Sequence, residues 1–584
     1  MKNKTILKIL CVSSCAFVLA STATAQQLDK SMNGQPRHTQ AFPMEYKAQV
    51  LQVGENIAVT NTTSGKVRGF ILRDTYHFLG IPYGANTEGK NRFMPATKPD
   101  PWGDKVFPAI WYPNCAPQFI KNGIHSGYFG RFRGFRDHEN YDDISENCLG
   151  INIWTQGYND GKKRPVILWI HGGGWSFGNA IEHDDHNGEN LSRLGDVVYC
   201  SINHRLGPLG YCDLSAFGAK YKNSGNVGAM DLVLALEWIR DNIENFGGDP
   251  NNVTLAGHSG GANKISCLMA MPSAKGLFHK AVLMSGAIKY LRPADITKKC
   301  GEYIMREAGL QPNEVDKLQE MPWEQFYKIA QSAAAKLCKD EGLEDKGLEA
   351  NPMKIFEPHV DGDIIVQAPF HPEASPLAKN IPMIVITATG EDSEAYRDPN
   401  EANITLDGVR DILKNKYKSR RLSKAWAERA DVLVDAYSKV FTNLKPFQVM
   451  AMIGWHRQRS IAVLDARSKQ GGAPVWNAWF NWQAPLHDGL QTAFHPGYPC
   501  FWFYNTDLMY TFTGGGPRPR ELSKKISLSL INFMKTGNPN CGELPYWPAY
   551  TTENGAVMLL QNKSKVVKDP DREARKQLPP YIDN

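Results

Sequence analysis

Between Val253 and Met271 the chain leaves itself little conformational choice. The short apolar run Val253-Thr254-Leu255-Ala256 ends in Gly257-His258-Ser259-Gly260-Gly261 and passes directly into a helical stretch. A β-branched run of this length, closed by a glycine cluster, reads as a strand buried on both faces of a parallel sheet. A serine between glycines at the strand-to-helix junction reads as a tight turn. The small neighbours let elements approach where side chains would clash, and the hydroxyl is lifted above the sheet at a helix N-terminus.

The surrounding sequence supplies more of the same units. Val166 to Ile170 is a strand bounded by Pro165 and the glycines that follow, and Asp196 to Ile202 is a second. Leu232, Leu236, Ile239 and Ile243 line one face of a helix that ends at Gly247 and Gly248. Strands are also expected at Val253 to Ala256, Ala281 to Ser285, from Met383 (MIVITAT) and from Val475 (VWNAWF). A closing helix presents Leu522, Ile526, Leu530 and Phe533. Strands alternating with helices predict a parallel sheet covered on both faces. The fold class expected is α/β, an α/β-hydrolase fold. Helical stretches near 294–348 and 402–442 are expected as insertions over the strand ends. No repeat or Pro/Gly/Ser linker divides the chain, so residues 26–584 are expected to form one domain.

Residues 1–25 read as a secretory signal. Lys2, Lys4 and Lys8 precede an apolar run, and Ala23-Thr24-Ala25 offers a cleavage site before Gln26. This predicts a secreted or periplasmic protein, of bacterial type; the alternative is a lipoprotein box ending at Cys15. No later stretch is long and apolar enough for a membrane span. The formal charge is +6, but three lysines and no acids lie in the leader, so the remainder carries about +3. That argues against nucleic acid as a partner. Of eleven cysteines, nine follow the leader, an odd number for intrachain pairing. Cys200, inside a predicted strand, is expected as a buried apolar residue. No CxxC or HExxH occurs, and no metal or other cofactor is expected.

Gly257 to Gly261 fits G-x-S-x-G, with Ser259 as nucleophile. His171-Gly172-Gly173-Gly174-Trp175 follows directly after its own strand, and successive glycines let backbone N–H groups converge where a tetrahedral intermediate places its oxyanion. A phosphate loop would want GxxxxGK[ST], which is absent. The base must take and return a proton near neutrality, which selects histidine.

Together these motifs resemble the type-B carboxylesterases, the cholinesterase-like family of α/β hydrolases. Gly65 to Gly69, Phe78 to Gly84, Arg92-Phe93 with Pro95, and Trp102 look like that family's opening segments. Ser145-Glu146-Asn147-Cys148-Leu149 is similar to its SEDCL signature, and Phe246 to Pro250 and Thr536 to Pro539 fit as well. The resemblance implies that the backbone N–H groups of Gly173, Gly174 and Gly260 form the oxyanion hole. It implies His495, in AFHPGYP, as the base in preference to His487, although Tyr498 and Pro499 replace the usual pair. It puts the acid just after the strand at Met383, at Glu391 or alternatively Asp392, with Glu394 in the same segment. It implies a disulfide between Cys115 and Cys148; Cys300 and Cys338 are a further candidate pair. His258 stands where cholinesterases have a carboxylate, which weakens any expectation of choline specificity.

The expected function is hydrolysis of a small-molecule carboxylic ester through an acyl-enzyme. The alternatives are a family member that binds without catalysis and a hydrolase of amides or thioesters. Arg131, Arg133 and Arg136 could favour acidic esters or simply be solvated. Oligomeric state is not readable from the sequence.

Overall fold

A computed structural model describes residues 51–119, 143–343, 352–391, 399–417, 422–485, 489–490 and 492–580. Its centre is a 12-stranded sheet. Numbered within this sheet, the strands are β1 (Leu51–Gln52), β2 (Phe70–Leu72), β3 (Thr75–Pro82), β4 (Gly150–Thr155), β5 (Arg164–Ile170) and β6 (Val198–Ile202). They continue with β7 (Gly248–His258), β8 (Lys280–Met284), β9 (Met383–Ala388), β10 (Val475–Phe480), β11 (Ala556–Leu560) and β12 (Lys565–Lys568). The spatial order is β1-β2-β3-β4-β6-β5-β7-β8-β9-β10-β11-β12. Strands from β6 to β11 run parallel, and the pairings outside them are antiparallel.

The apolar runs read from the sequence became these parallel strands because both faces of each are covered. Residues alternate between two cores: Leu168, Ile170, Leu255, Leu283 and Val385 enter one, while Ile167, Trp169, Ala256, Val282, Ile384 and Ile386 enter the other. The helices that concern the site are α1 (Val227–Asn242), α2 (Gly260–Leu268), α3 (Ala294–Glu307), α4 (Trp323–Asp340), α5 (Leu406–Asn415), α6 (Ala430–Val440), α7 (Trp455–Gln470) and α8 (Pro517–Thr536). The predicted faces of α1 and α8 are buried at Leu232, Leu236, Ile239, Leu522, Ile526, Leu530 and Phe533. The first insertion breaks into α3 and α4 with shorter turns between. The second contains α5 and α6, which share a small separate core with Val449 and Met450.

Helix α7 has no clear apolar stripe, and nothing in the sequence pattern announced it. Ile461, Val463 and Leu464 enter the core, and buried guanidinium groups anchor it further. Arg457 pairs with Asp571 and donates to Asn477, and Arg467 donates to the carbonyls of Lys379 and Ile381. Its first turn carries His456 to the end of β9, where His456, Ala451, Met452 and Gly454 line a small cavity with Ala388 and Glu391.

The structure shows no Cys115–Cys148 bridge: both are buried thiols, and Cys300 and Cys338, also buried, form no disulfide among the described residues. Gln118 Nε2 donates to the Cys115 sulfur at 2.9 Å. Burial pushes the Cys115 thiol up to about 12. Cys200 lies buried within β6, as its sequence context suggests. The arginines at 131, 133 and 136 and the leader lie outside the described residues.

Arg205, just beyond β6, is tied to α1 through Asp231. Its Nε donates to Asp231 at 2.9 Å and Nη2 at 2.6 Å, with both side chains buried. Asp231→Asn would strand a buried guanidinium. Urea unfolding should show a loss of about 3–5 kcal/mol, well beyond what an exposed ion pair contributes.

Candidate active site

Ser259 closes β7 and caps α2 with φ 54° and ψ −119°, outside the regions an L-residue favours. The surroundings hold it there. Its N–H donates to the Met284 carbonyl at the end of β8 at 2.7 Å. A Cβ on Gly261 would stand 2.0 Å from the Ile170 oxygen, and one on Gly257 would stand 2.6 Å from the Gly261 carbonyl carbon. The glycines are thus required by contact between β5, β7 and α2.

The loop after β5 folds against this turn. A Cβ on Gly172 would lie 3.6 Å from that of Ser259, and one on Gly260 would lie 2.4 Å from the Gly174 nitrogen. Gly173 and Gly174 take φ of 75° and 61°, which glycine accepts readily. The loop's carbonyls point away to partners. Lys264 Nζ donates to His171 and Gly172, and the Ser176 and Phe177 N–H groups donate to Gly173. The N–H groups of Gly173, Gly174 and Gly260 donate to no acceptor among the described residues. Gly260 is buried and Gly173 and Gly174 are partly buried, so three undonated N–H groups lie close to one serine turn.

Glu391 follows β9 by three residues and is buried. Its Oε2 accepts from His495 Nδ1 at 2.6 Å. Its Oε1 accepts from the Ala388 N–H at 2.7 Å and from the Ser285 hydroxyl, which in turn accepts from Tyr498. Burial opposes the charge on Glu391, but His495, His456 and the Ser285 hydrogen bond outweigh it and hold the carboxyl below its usual range. The Gly390 N–H donates to the Ala493 carbonyl at 2.8 Å, tying the acid segment to the histidine segment. The His495 ring lies 4.5 Å from that of His258, whose Nε2 donates to the His495 carbonyl at 2.7 Å. Burial, reinforced by His495, keeps His258 neutral.

With this geometry in view, a profile of the carboxylesterase family matches residues 56–578. The chain belongs to the carboxylesterase family. It is similar to a para-nitrobenzyl esterase of Bacillus subtilis, with 30% identity over 89% of this chain and 98% of that protein. It is also similar to a phenmedipham hydrolase of Pseudarthrobacter oxydans, 29% identical over 88% of this chain and 97% of that one. Among solved structures, an esterase from Clostridium hathewayi that hydrolyses aliphatic aromatic polyesters superposes with a TM-score of 0.76. The two share 31% identity, covering 91% of this chain and 99% of that one. This carboxylesterase has the α/β-hydrolase fold and is a carboxylic ester hydrolase. No helix among its described residues is long and apolar enough to cross a membrane.

The structure thus sets the glycine loop against the Ser259 turn and joins Glu391 to His495, whose ring lies 4.5 Å from that of His258, the residue before Ser259. Asp392, Glu394 and His487 lie outside the described residues. Sequence reasoning missed the parts played by Ser285, Tyr498, His456 and Lys264: Ser285 and His456 come from other segments, and Tyr498 and Lys264, though near His495 and Ser259 in sequence, act on partners far along the chain. It also missed a turn at His183, Asp185 and His186. There His186 Nε2 lies 3.1 Å from Asp185, and ligand-type atoms of all three residues fall within 4.8 Å of one another. Burial pushes the Asp185 carboxyl up to about 6. The spacing H-D-D-H was the available signal. Glu391, His456 and His495 form the other such group.

Gly260→Ala tests how tightly the two glycine segments fit. Its Cβ has no room beside Gly174 without moving that loop, so kcat for an aryl ester should fall about tenfold or more while the protein stays folded. An unchanged kcat would mean that the contact is slack.

Proposed function

We propose that this carboxylesterase hydrolyses small-molecule carboxylic esters through a covalent acyl-enzyme on Ser259. In this reading His495, oriented by Glu391, is the general base, and the N–H groups of Gly173, Gly174 and Gly260 hold the oxyanion. The observation that carries the reading is the packing of a glycine loop with undonated N–H groups against the Ser259 turn, together with a histidine whose Nδ1 is committed to a buried carboxylate.

The chemistry follows from those commitments. Because Nδ1–H donates to Glu391, Nε2 is the nitrogen left with a lone pair to accept the Ser259 proton. The serine oxygen then bonds to the ester carbonyl carbon, and the carbonyl oxygen takes up the negative charge within reach of the glycine amides. Collapse of this intermediate breaks the C–O bond to the alcohol, which leaves with the proton returned from His495. Water, deprotonated by the same nitrogen, attacks the acyl group and frees the acid. Since Glu391 is held below the usual carboxyl range, it stays ionised through neutral pH and stabilises the imidazolium in both halves of the cycle. The apolar leader with its Ala-Thr-Ala site supports export of the enzyme, to the periplasm or beyond.

The assignment is checked with a short-chain nitrophenyl ester. Ser259→Ala should lower kcat by about 10⁵-fold or more, and Glu391→Gln by about three to four orders of magnitude with KM little changed. Asp392→Asn should stay near wild type. If Asp392→Asn were the crippled variant, the acid would have to be reassigned.

A further inference from the structure

Lys264 lies in α2, one turn beyond Ser259, and is fully buried. Its ammonium donates to the carbonyl oxygens of His171 at 3.0 Å and Gly172 at 3.3 Å. The Gly172 oxygen and the Gly173 N–H are opposite ends of one peptide group. Lys264 therefore grips, from behind, the peptide whose N–H faces the site. The next peptide is served the same way by the backbone: its oxygen, on Gly173, accepts from Ser176 at 3.3 Å and Phe177 at 3.2 Å, and its N–H is that of Gly174.

A carbonyl that accepts a hydrogen bond leaves its own N–H a stronger donor, by about 10–30% per link in a chain of bonds. A full charge does this better than a neutral donor. A purely structural account fits less well. Burying an ammonium is costly, whereas an apolar side chain of the same length would fill this position without that cost.

We propose that Lys264 is a positioning residue that strengthens the oxyanion donors by fixing and polarising the peptide between Gly172 and Gly173. This rests on the reading of Ser259 and the glycine loop as the catalytic site.

The groups facing the ammonium define its pH response. They are Glu182 from the segment after the glycine loop, His171 at the end of β5 and His204 after β6, with the Trp175 ring 6.0 Å away. His171 and His204 stack at 4.8 Å, and burial and Lys264 keep both neutral. Burial lowers Lys264 to about 7, against an upward pull from Glu182. Its pKa is depressed in the folded protein. The charge is therefore present below that value and lost as pH rises through it, so the donors weaken on the alkaline side.

The test compares wild type with Lys264→Met in hydrolysis of a nitrophenyl ester and in binding of an alkyl trifluoromethyl ketone. That ketone adds to the serine oxygen, passes the serine proton to His495 and leaves an oxyanion in the glycine cradle. Lys264→Met should lower kcat about tenfold with KM within about twofold, a weaker effect than the roughly 10²–10³-fold of deleting a donor outright. Ketone affinity should fall by the same factor, and the alkaline decline of kcat/KM should disappear. Equal kcat, equal ketone affinity and an unchanged pH profile in a folded variant would overturn the proposal. If the variant does not fold, Lys264→Gln, which keeps a neutral donor of shorter reach, decides: kcat and ketone affinity must both fall with KM little changed, and wild-type values for both refute the role. Should Ser259→Ala retain activity, the underlying site reading fails. If Ser259→Ala is dead and Lys264→Met is indistinguishable from wild type, the lysine proposal alone fails.

Discussion

The backbone of Ser259 is held where a serine would not choose to be. Such a conformation costs on the order of 1–3 kcal/mol and persists only when neighbouring packing over-determines it. The over-determination is visible: the Ser259 N–H is fixed to Met284 on β8, and Gly261 is pressed against the Ile170 carbonyl of β5. Parallel strands on both sides of β7 thus set the turn. Its consequence is placement. The same packing that strains Ser259 puts the first amides of α2 against the glycine loop, so that the proposed nucleophile and the proposed oxyanion donors are positioned by one constraint.

Around that turn the polar groups are arranged in depth. Tyr498 donates to Ser285, Ser285 and the Ala388 amide to Glu391, and Glu391 accepts from His495. A buried carboxylate with every bond satisfied orients an imidazole far better than a solvated one could, and it remains charged because its partners repay the loss of water. Tyr498, which departs from the pattern expected in this segment, takes part in that chain. His258 replaces a charge with a neutral ring that hydrogen-bonds the His495 main chain. The region beside the nucleophile is accordingly without an anion at the position where a cholinesterase would have one.

How much of this could be read from the sequence depended on the range of the interaction. β5, β7 and β10 were legible because burial on both faces demands unbroken apolar runs, and the glycine motifs were legible because close backbone approach tolerates no side chain. Glu391 was reachable only by counting from the strand at Met383, with Asp392 one residue away. Helix α7 was hidden because arginines that pair with Asp571 and with distant backbone carbonyls interrupt the apolar residues Ile461, Val463 and Leu464 on its buried side. Lys264 sits in a stretch correctly read as helical, but its partners lie 93 and 92 residues upstream, and no local pattern reveals them. The disulfide expectation failed for a related reason. It came from the resemblance, and no local pattern shows that both sulfurs end up buried and unbridged.

The central claim is that acyl transfer passes through Ser259. Rapid quenching of the enzyme with a slowly deacylating ester, followed by intact-mass measurement and peptide mapping, tests it most directly. The account predicts one acyl group per chain, on the peptide carrying Gly257 to Gly261, forming in a burst and disappearing at the steady-state rate. An acyl group on any other residue, or turnover with no covalent intermediate at any time point, would contradict it.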